Sequence, residues 1–147
     1  MPQGYHDVNI LIVDDDQVDV RAIQRGFQKH KISNPMYVAS DGLEALSMLR
    51  GDQGQPKLPR PYLILLDLNM PRMNGHQFLK ELRSDPGLSD SIVFVLTTSV
   101  TDEDKVAAYQ QHIAGYLVKS EVGHGFLTAI EMLERFVVTV QFPPEQV

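Results

Sequence analysis

Cysteine is missing altogether from these 147 residues. Disulfide staples and thiolate metal sites are therefore excluded, and a reducing compartment suits the composition. Basic residues are in deficit, with 13 Lys and Arg against 19 Asp and Glu and a formal net charge of −6. A binder of the nucleic-acid backbone needs a basic face, so nucleic acid is not an expected partner. No apolar run approaches bilayer-spanning length, so no membrane association is expected. The opening "MPQGYHDVN" lacks the basic-then-apolar layout of a secretory signal. Internal repeats and low-complexity blocks are absent too. What remains, 43% hydrophobic and 22% charged, fits a single cytoplasmic domain over 1–147. Its core should cover about 8–138, with a tail over 139–147.

The patterning alternates between two periods. "NILIV" (9–13) is short, β-branched and followed by acids, as a buried strand would be. From Asp16 the spacing turns helical, with Val20, Ala22, Ile23 and Phe27 on one face. "NPMYVAS" (34–40) supplies a second strand, and "DGLEALSMLR" (41–50) a helix with Leu43, Leu46 and Leu49 among its apolar positions. "GDQGQPKLPRP" (51–61), rich in Gly and Pro, must be a loop. "LILL" (63–66) is a third strand, and a helix follows from about Asn74 to Ser84. "SIVFVL" (91–96), the helix in "DEDKVAAYQQH" (102–112), "GYLV" (115–118) and a last helix from about Val122 to Val138 complete the chain. Five strand–helix units with nearly continuous apolar strands predict a doubly wound, five-stranded parallel α/β sheet, flavodoxin-like, with a C-terminal helix extension.

In such sheets ligands gather at the carboxyl ends of the strands, near the switch in strand order. Those ends carry Asp14, Asp15 and Asp16; Asp67 and Asn69; Thr97, Thr98 and Ser99; and Lys119. Clustered carboxylates repel unless a proton or a cation sits between them. With oxygen the only donor on offer, a hard ion such as Mg²⁺ is selected. A carboxylate beside it could act as nucleophile toward phosphorus, with Thr97 and Lys119 stabilising the phosphoryl oxygens. Strand alternation lets only one of Thr97 and Thr98 face that site. Asp16 is better read as the N-cap of the first helix than as a ligand. The five histidines, at 6, 30, 76, 112 and 124, show no ligand spacing and read as surface or packing residues.

"LIVDDD", "LLDLNMPRMNG", "VLTTS" and "GYLVK", in that order, resemble the response-regulator receiver domains of two-component signalling. The resemblance covers almost the whole chain. It implies that Asp67 is the phosphoacceptor, Asp15 a direct Mg²⁺ ligand, Asp14 a ligand through a metal-bound water, and the Asn69 backbone carbonyl a further ligand. It makes Thr97 the switch hydroxyl, by its separation from Lys119, and Lys119 the cation on the phosphoryl group. Tyr116 would be the aromatic that turns inward on phosphorylation, while Pro71 and Gly75 would shape the loop after the acceptor. The donor would be a sensor histidine kinase. "LTTS" with "KS", the long loop before the third strand and the extended end further resemble the stand-alone regulators paired with bacterial phytochrome kinases. Two positions depart from the pattern. Ser120 stands where receivers usually carry proline, which leaves the Lys119–Ser120 bond open between cis and trans. Thr98 stands where most have Ala or Gly.

The last helix carries two apolar stripes: Phe126, Ile130, Leu133 and Val137, and Ala129, Met132, Phe136 and Val140, continued by Phe142. A helix apolar on two faces is buried on two faces, which predicts a homodimer through the second stripe and tail. The alternative is a tail that folds back on its own chain. Output is expected through protein contacts or phosphate relay. Three rivals stand beside the signalling reading. A haloacid-dehalogenase-like phosphatase would need an acid–base Asp where Asn69 stands. A flavodoxin-like FMN carrier would need a hydroxyl- and Gly-rich loop where three aspartates stand. An interaction module that is never phosphorylated would leave the set of groups without a purpose.

Overall fold

A computed structural model describes residues 8–29, 33–119 and 122–144, with the backbone alone over 122–130. Strands β1 (Asn9–Val13), β2 (Met36–Ala39), β3 (Tyr62–Leu66), β4 (Ile92–Thr97) and β5 (Gly115–Val118) alternate with five helices. These are α1 (Gln17–Lys29), α2 (Gly42–Arg50), α3 (Gly75–Ser84), α4 (Asp102–Gln110) and α5 (Val122–Thr139). The strands form one parallel sheet in the order β2-β1-β3-β4-β5. The expected doubly wound architecture is thus the observed one, and the order reverses between β1 and β3.

Alternation along each central strand divides the core in two. Leu11, Val13, Ile64, Leu66, Val93 and Val95 face α2 and α3, against Leu46, Leu49, Phe78, Leu79 and Leu82. Ile10, Ile12, Leu63, Leu65, Phe94 and Leu96 face α1 and α5, against Ile23, Phe27, Leu133 and Val137. Because both faces are covered, β1 and β3 are buried at every position, which is why they read as continuous apolar runs. Helices α1 to α4 start where side chains satisfy their free N–H groups. Asp16 accepts from Val18 and Asp19, Asp41 from Glu44, and Thr101 from Asp104, while Asn74 and Gln77 form a capping box.

Three apolar expectations need adjustment. Ala22 is exposed, and Gly26 takes the buried place beside Phe27. Leu43 is also exposed, because Gly42, Ala45, Leu46 and Leu49 suffice for the inner face of α2. The second stripe of α5 splits. Phe136 lies edge-on to Phe94, ring centroids 4.8 Å apart, and Phe142 lies edge-on to Phe136 at 5.7 Å. The tail therefore folds back on its own sheet, leaving Met132 and Val138 exposed. Phe126, Ala129 and Ile130 fall among residues whose side chains are outside the description, and the Lys119–Ser120 bond also lies outside it. Among the described residues no helix is long and apolar enough to cross a membrane.

Candidate functional site

Asp14 follows β1, Asp67 follows β3, Thr97 ends β4 and Lys119 follows β5. The parallel sheet therefore delivers all four to its carboxyl edge, around the β1/β3 reversal. Asp67 still belongs to the ladder through its backbone, donating its N–H to Val13 O at 2.9 Å. Its Oδ1 accepts from Thr97 Oγ1 at 2.8 Å and from the Asn69 N–H at 3.3 Å. Its Oδ2 lies 3.5 Å from Lys119 Nζ. Carboxylate oxygens of Asp14, Asp15 and Asp67 lie within 4.8 Å of one another. Asp14 and Asp67 are buried and Asp15 is exposed, so the cluster has one open side.

The Lys119 ammonium serves Asp14 and Asp67 of this cluster. Lys119 Nζ donates to Asp14 Oδ2 at 2.8 Å and to Asp19 Oδ2 at 2.7 Å. Burial works against its charge, but the hydrogen bonds to Asp14 and Asp19 outweigh it and hold its pKa above the ordinary lysine range. Asp14 is under-compensated. Burial pushes its pKa up to about 6, with the charge of Asp67 adding to the rise. The Lys119 ammonium and the Asp16 N–H only partly counter that. A buried carboxylate held back from ionising, beside two more carboxylates and no soft donor, fits a hard divalent cation.

The loop after Asp67 is held from three directions. Gly42 donates its N–H to Met73 O at 3.1 Å, Arg72 Nε reaches Asp41 Oδ2 at 2.7 Å, and the Gly75 N–H meets Leu68 O at 2.9 Å. Gly75 is glycine because α3 starts against this loop: a Cβ there would lie 2.6 Å from Asp67 O and 2.7 Å from Leu68 Cα. Both are backbone atoms and cannot swing aside. At the N-cap of α2, burial opposes the charge of Asp41. The Glu44 N–H and the Arg72 guanidinium nevertheless hold its carboxyl below the usual range.

Thr97 is fully buried and Thr98 exposed, as alternation requires. Tyr116 is half-buried against the α2–α3 side of the core and donates its hydroxyl to Ser99 O at 3.0 Å. Burial raises its phenol pKa. Two features went unread in the sequence. Asp19 reaches Lys119 although, in linear order, it is only an acid in a first helical turn. His76 Nε2 and Asp104 Oδ1 meet at 2.8 Å, joining α3 to α4, and Ser99 donates its hydroxyl to Asp104. Those bonds, Ser99 first, hold the Asp104 carboxyl below its ordinary range. A turn of helix places Asp19 over the strand ends and could have been read. No local pattern announces a pair 28 residues apart. Asn69, Pro71, His76, Asp104 and Asp15 line an open groove.

The family model for the response regulator receiver domain matches residues 10–131. Response regulator Rcp1 of Synechocystis sp. is 36% identical over 135 residues, covering 91% of this chain and 92% of that protein. The probable methanogenesis regulatory protein FilR2 of Methanothrix harundinacea is 36% identical over 111 residues, covering 75% and 70%. Among solved structures, the phosphorylated cyanobacterial phytochrome response regulator RcpA superposes with a TM-score of 0.84 at 32% identity, covering 93% of this chain and 99% of that one. The Mn²⁺-bound form of Rcp1 gives 0.83 at 35%, covering 92% and 99%. The chain belongs to the response-regulator receiver family and lies structurally close to the phytochrome-associated regulators RcpA and Rcp1.

Proposed function

We propose that the chain accepts a phosphoryl group from the phosphohistidine of a sensor kinase onto Asp67, in a reaction served by Mg²⁺. The observation that carries this is the convergence on Asp67 of Thr97 Oγ1 at 2.8 Å, Lys119 Nζ at 3.5 Å, and the carboxylates of Asp14 and Asp15. A carboxylate oxygen of Asp67 attacks phosphorus, the P–N bond to the imidazole breaks, and its electron pair returns to the ring nitrogen. The new acyl phosphate brings negative charge into a site already rich in it. When bound, Mg²⁺ supplies the neutralisation that lets the carboxylates and the phosphoryl oxygens share that space. Asp15, Asp67 and the Asn69 carbonyl would hold it directly, and Asp14 through water. Lys119 pairs with one phosphoryl oxygen and Thr97 donates to another.

The Thr97 movement has a route outward. Ser99 N lies 3.5 Å from Thr97 Oγ1, and Ser99 O holds Tyr116. Drawing Thr97 to the phosphate would therefore disturb the loop before α4 and free Tyr116 to turn inward. The similarity to RcpA and Rcp1 supports a kinase of phytochrome type. A homodimer through α5 belongs to this reading, with Met132 of the second stripe still exposed and Val138 exposed beside it. Sedimentation of the full chain at micromolar concentration should give a dimer; a monomer removes that contact.

Acetyl phosphate, with and without Mg²⁺, followed by intact mass, tests the central step. One phosphoryl group should be gained only with Mg²⁺, and not by Asp67→Asn. Turnover of a phosphate ester would point instead to a phosphatase, and a yellow purified protein to a flavin carrier.

A further inference from the structure

Asp19 has no part in the three-carboxylate cluster, yet it makes the shorter of the two hydrogen bonds that hold Lys119, 2.7 Å against 2.8 Å to Asp14. A first-turn acid needs nothing beyond the helix dipole and water to be stable where it is. Its carboxylate instead reaches a largely buried ammonium 100 positions away in sequence. An ammonium has three N–H donors. Two are committed to Asp14 and Asp19, and the third is left for the acceptor, whose Oδ2 stands at 3.5 Å, just beyond a hydrogen bond.

The two anchors differ in what a divalent cation does to them. Asp14 would have to serve the cation and the ammonium together, and the two positive charges repel across it. Asp19 lies outside that conflict and remains fully available to Lys119. Resting on the reading of Asp67 as phosphoacceptor, we propose that Asp19 is a positioning residue for phosphoryl transfer. It anchors the Lys119 ammonium beside Asp67 when a divalent cation occupies the carboxylate cluster. Asp19 acts through Lys119 and touches no reacting atom. Without it, the ammonium would retreat from the cation toward solvent and meet the phosphoryl oxygens less often.

Intact-mass time courses with acetyl phosphate over a Mg²⁺ series would test this on the wild-type chain, Asp19→Asn, Asp19→Glu, Lys119→Met, and Asp19→Asn combined with Lys119→Met. Asp19→Asn should slow phosphorylation at saturating Mg²⁺ roughly tenfold, the worth of one partly screened charge-assisted hydrogen bond. The Mg²⁺ concentration for half-maximal rate should stay within about twofold, because the cluster carboxylates are intact. Asp19→Glu should recover part of the rate, and Asp19→Asn should cost nothing further once Lys119 is Met. A wild-type or faster rate for Asp19→Asn overturns the proposal, as does a loss confined to Mg²⁺ half-saturation or an equal loss in both Lys119 backgrounds. Any of these leaves Asp67 as acceptor. A wild-type chain that gains no phosphate removes both readings.

Discussion

Asp14→Asn should make the metal-free protein more stable at neutral pH and leave that advantage behind in acid. Asp14 is 4% exposed, and burial raises its pKa from 3.8 to about 6. The folded state therefore binds a proton more tightly than the unfolded chain does. Stability from this group is lost as pH climbs from about 4 to about 6, and stays lost above that. The shift corresponds to about 3 kcal/mol. An amide avoids this loss, although it cannot accept from both the Asp16 N–H and Lys119, which takes back about 1 kcal/mol at every pH. Urea denaturation in EDTA from pH 4 to pH 7.5 should thus show the variant gaining on the wild type by about 3 kcal/mol across that window. A difference that does not change with pH would sink the argument. On the proposed ligand set, added Mg²⁺ should narrow the gap at pH 7, because ion binding would stabilise the wild type by mass action and the variant would lack the carboxylate that holds the ion through water.

The architecture was legible because two physical periods coincide with it. Strands buried on both faces must be apolar at every position, and "LILL" and "IVFVL" announce themselves that way. Parallel connection then sends every strand end to the same edge, so residues as distant in sequence as Asp14 and Lys119 meet at one site. The helix faces were less legible. Leu43 and Ala22 fit their apolar stripes and are exposed; in α2, glycine at 42 lets Met73 and Phe78 close over the backbone instead. Phe136 and Phe142 show the same limit. Periodicity says that a second face of α5 is apolar, but whether Phe94 of its own sheet or another chain covers it depends on the path of the tail. Asp19 and His76 escaped for a related reason. Each looks like an ordinary surface residue in linear context, and its partner comes from another element.

Lys119→Met should impair stability and transfer together. The ammonium's pKa is raised in the folded protein, so the stability it provides is complete below the unfolded lysine value and is lost only as pH rises through the folded one. At pH 7 its full contribution is therefore at stake. Removing it leaves Asp14 and Asp67, both buried, without their shared cation. Breaking a buried pair from one side costs about 3–5 kcal/mol, and the low end applies here because Asp14 can take up a proton instead. That escape also sets the pH dependence: in EDTA the variant should lose about 3 kcal/mol at pH 7 and markedly less at pH 5, where Asp14 is already largely protonated. Mg²⁺ at millimolar concentration should return part of the loss, since a divalent ion among the carboxylates supplies the missing charge. It should not return the transfer rate. A cation beside the carboxylates cannot reach the phosphoryl oxygen that Lys119 would pair with, and phosphorylation by acetyl phosphate should fall about 100-fold. Stability equal to wild type in EDTA at pH 7 would mean that the carboxylates do not depend on this ammonium. Unaltered phosphorylation would mean that Lys119 is a structural counter-ion and nothing more.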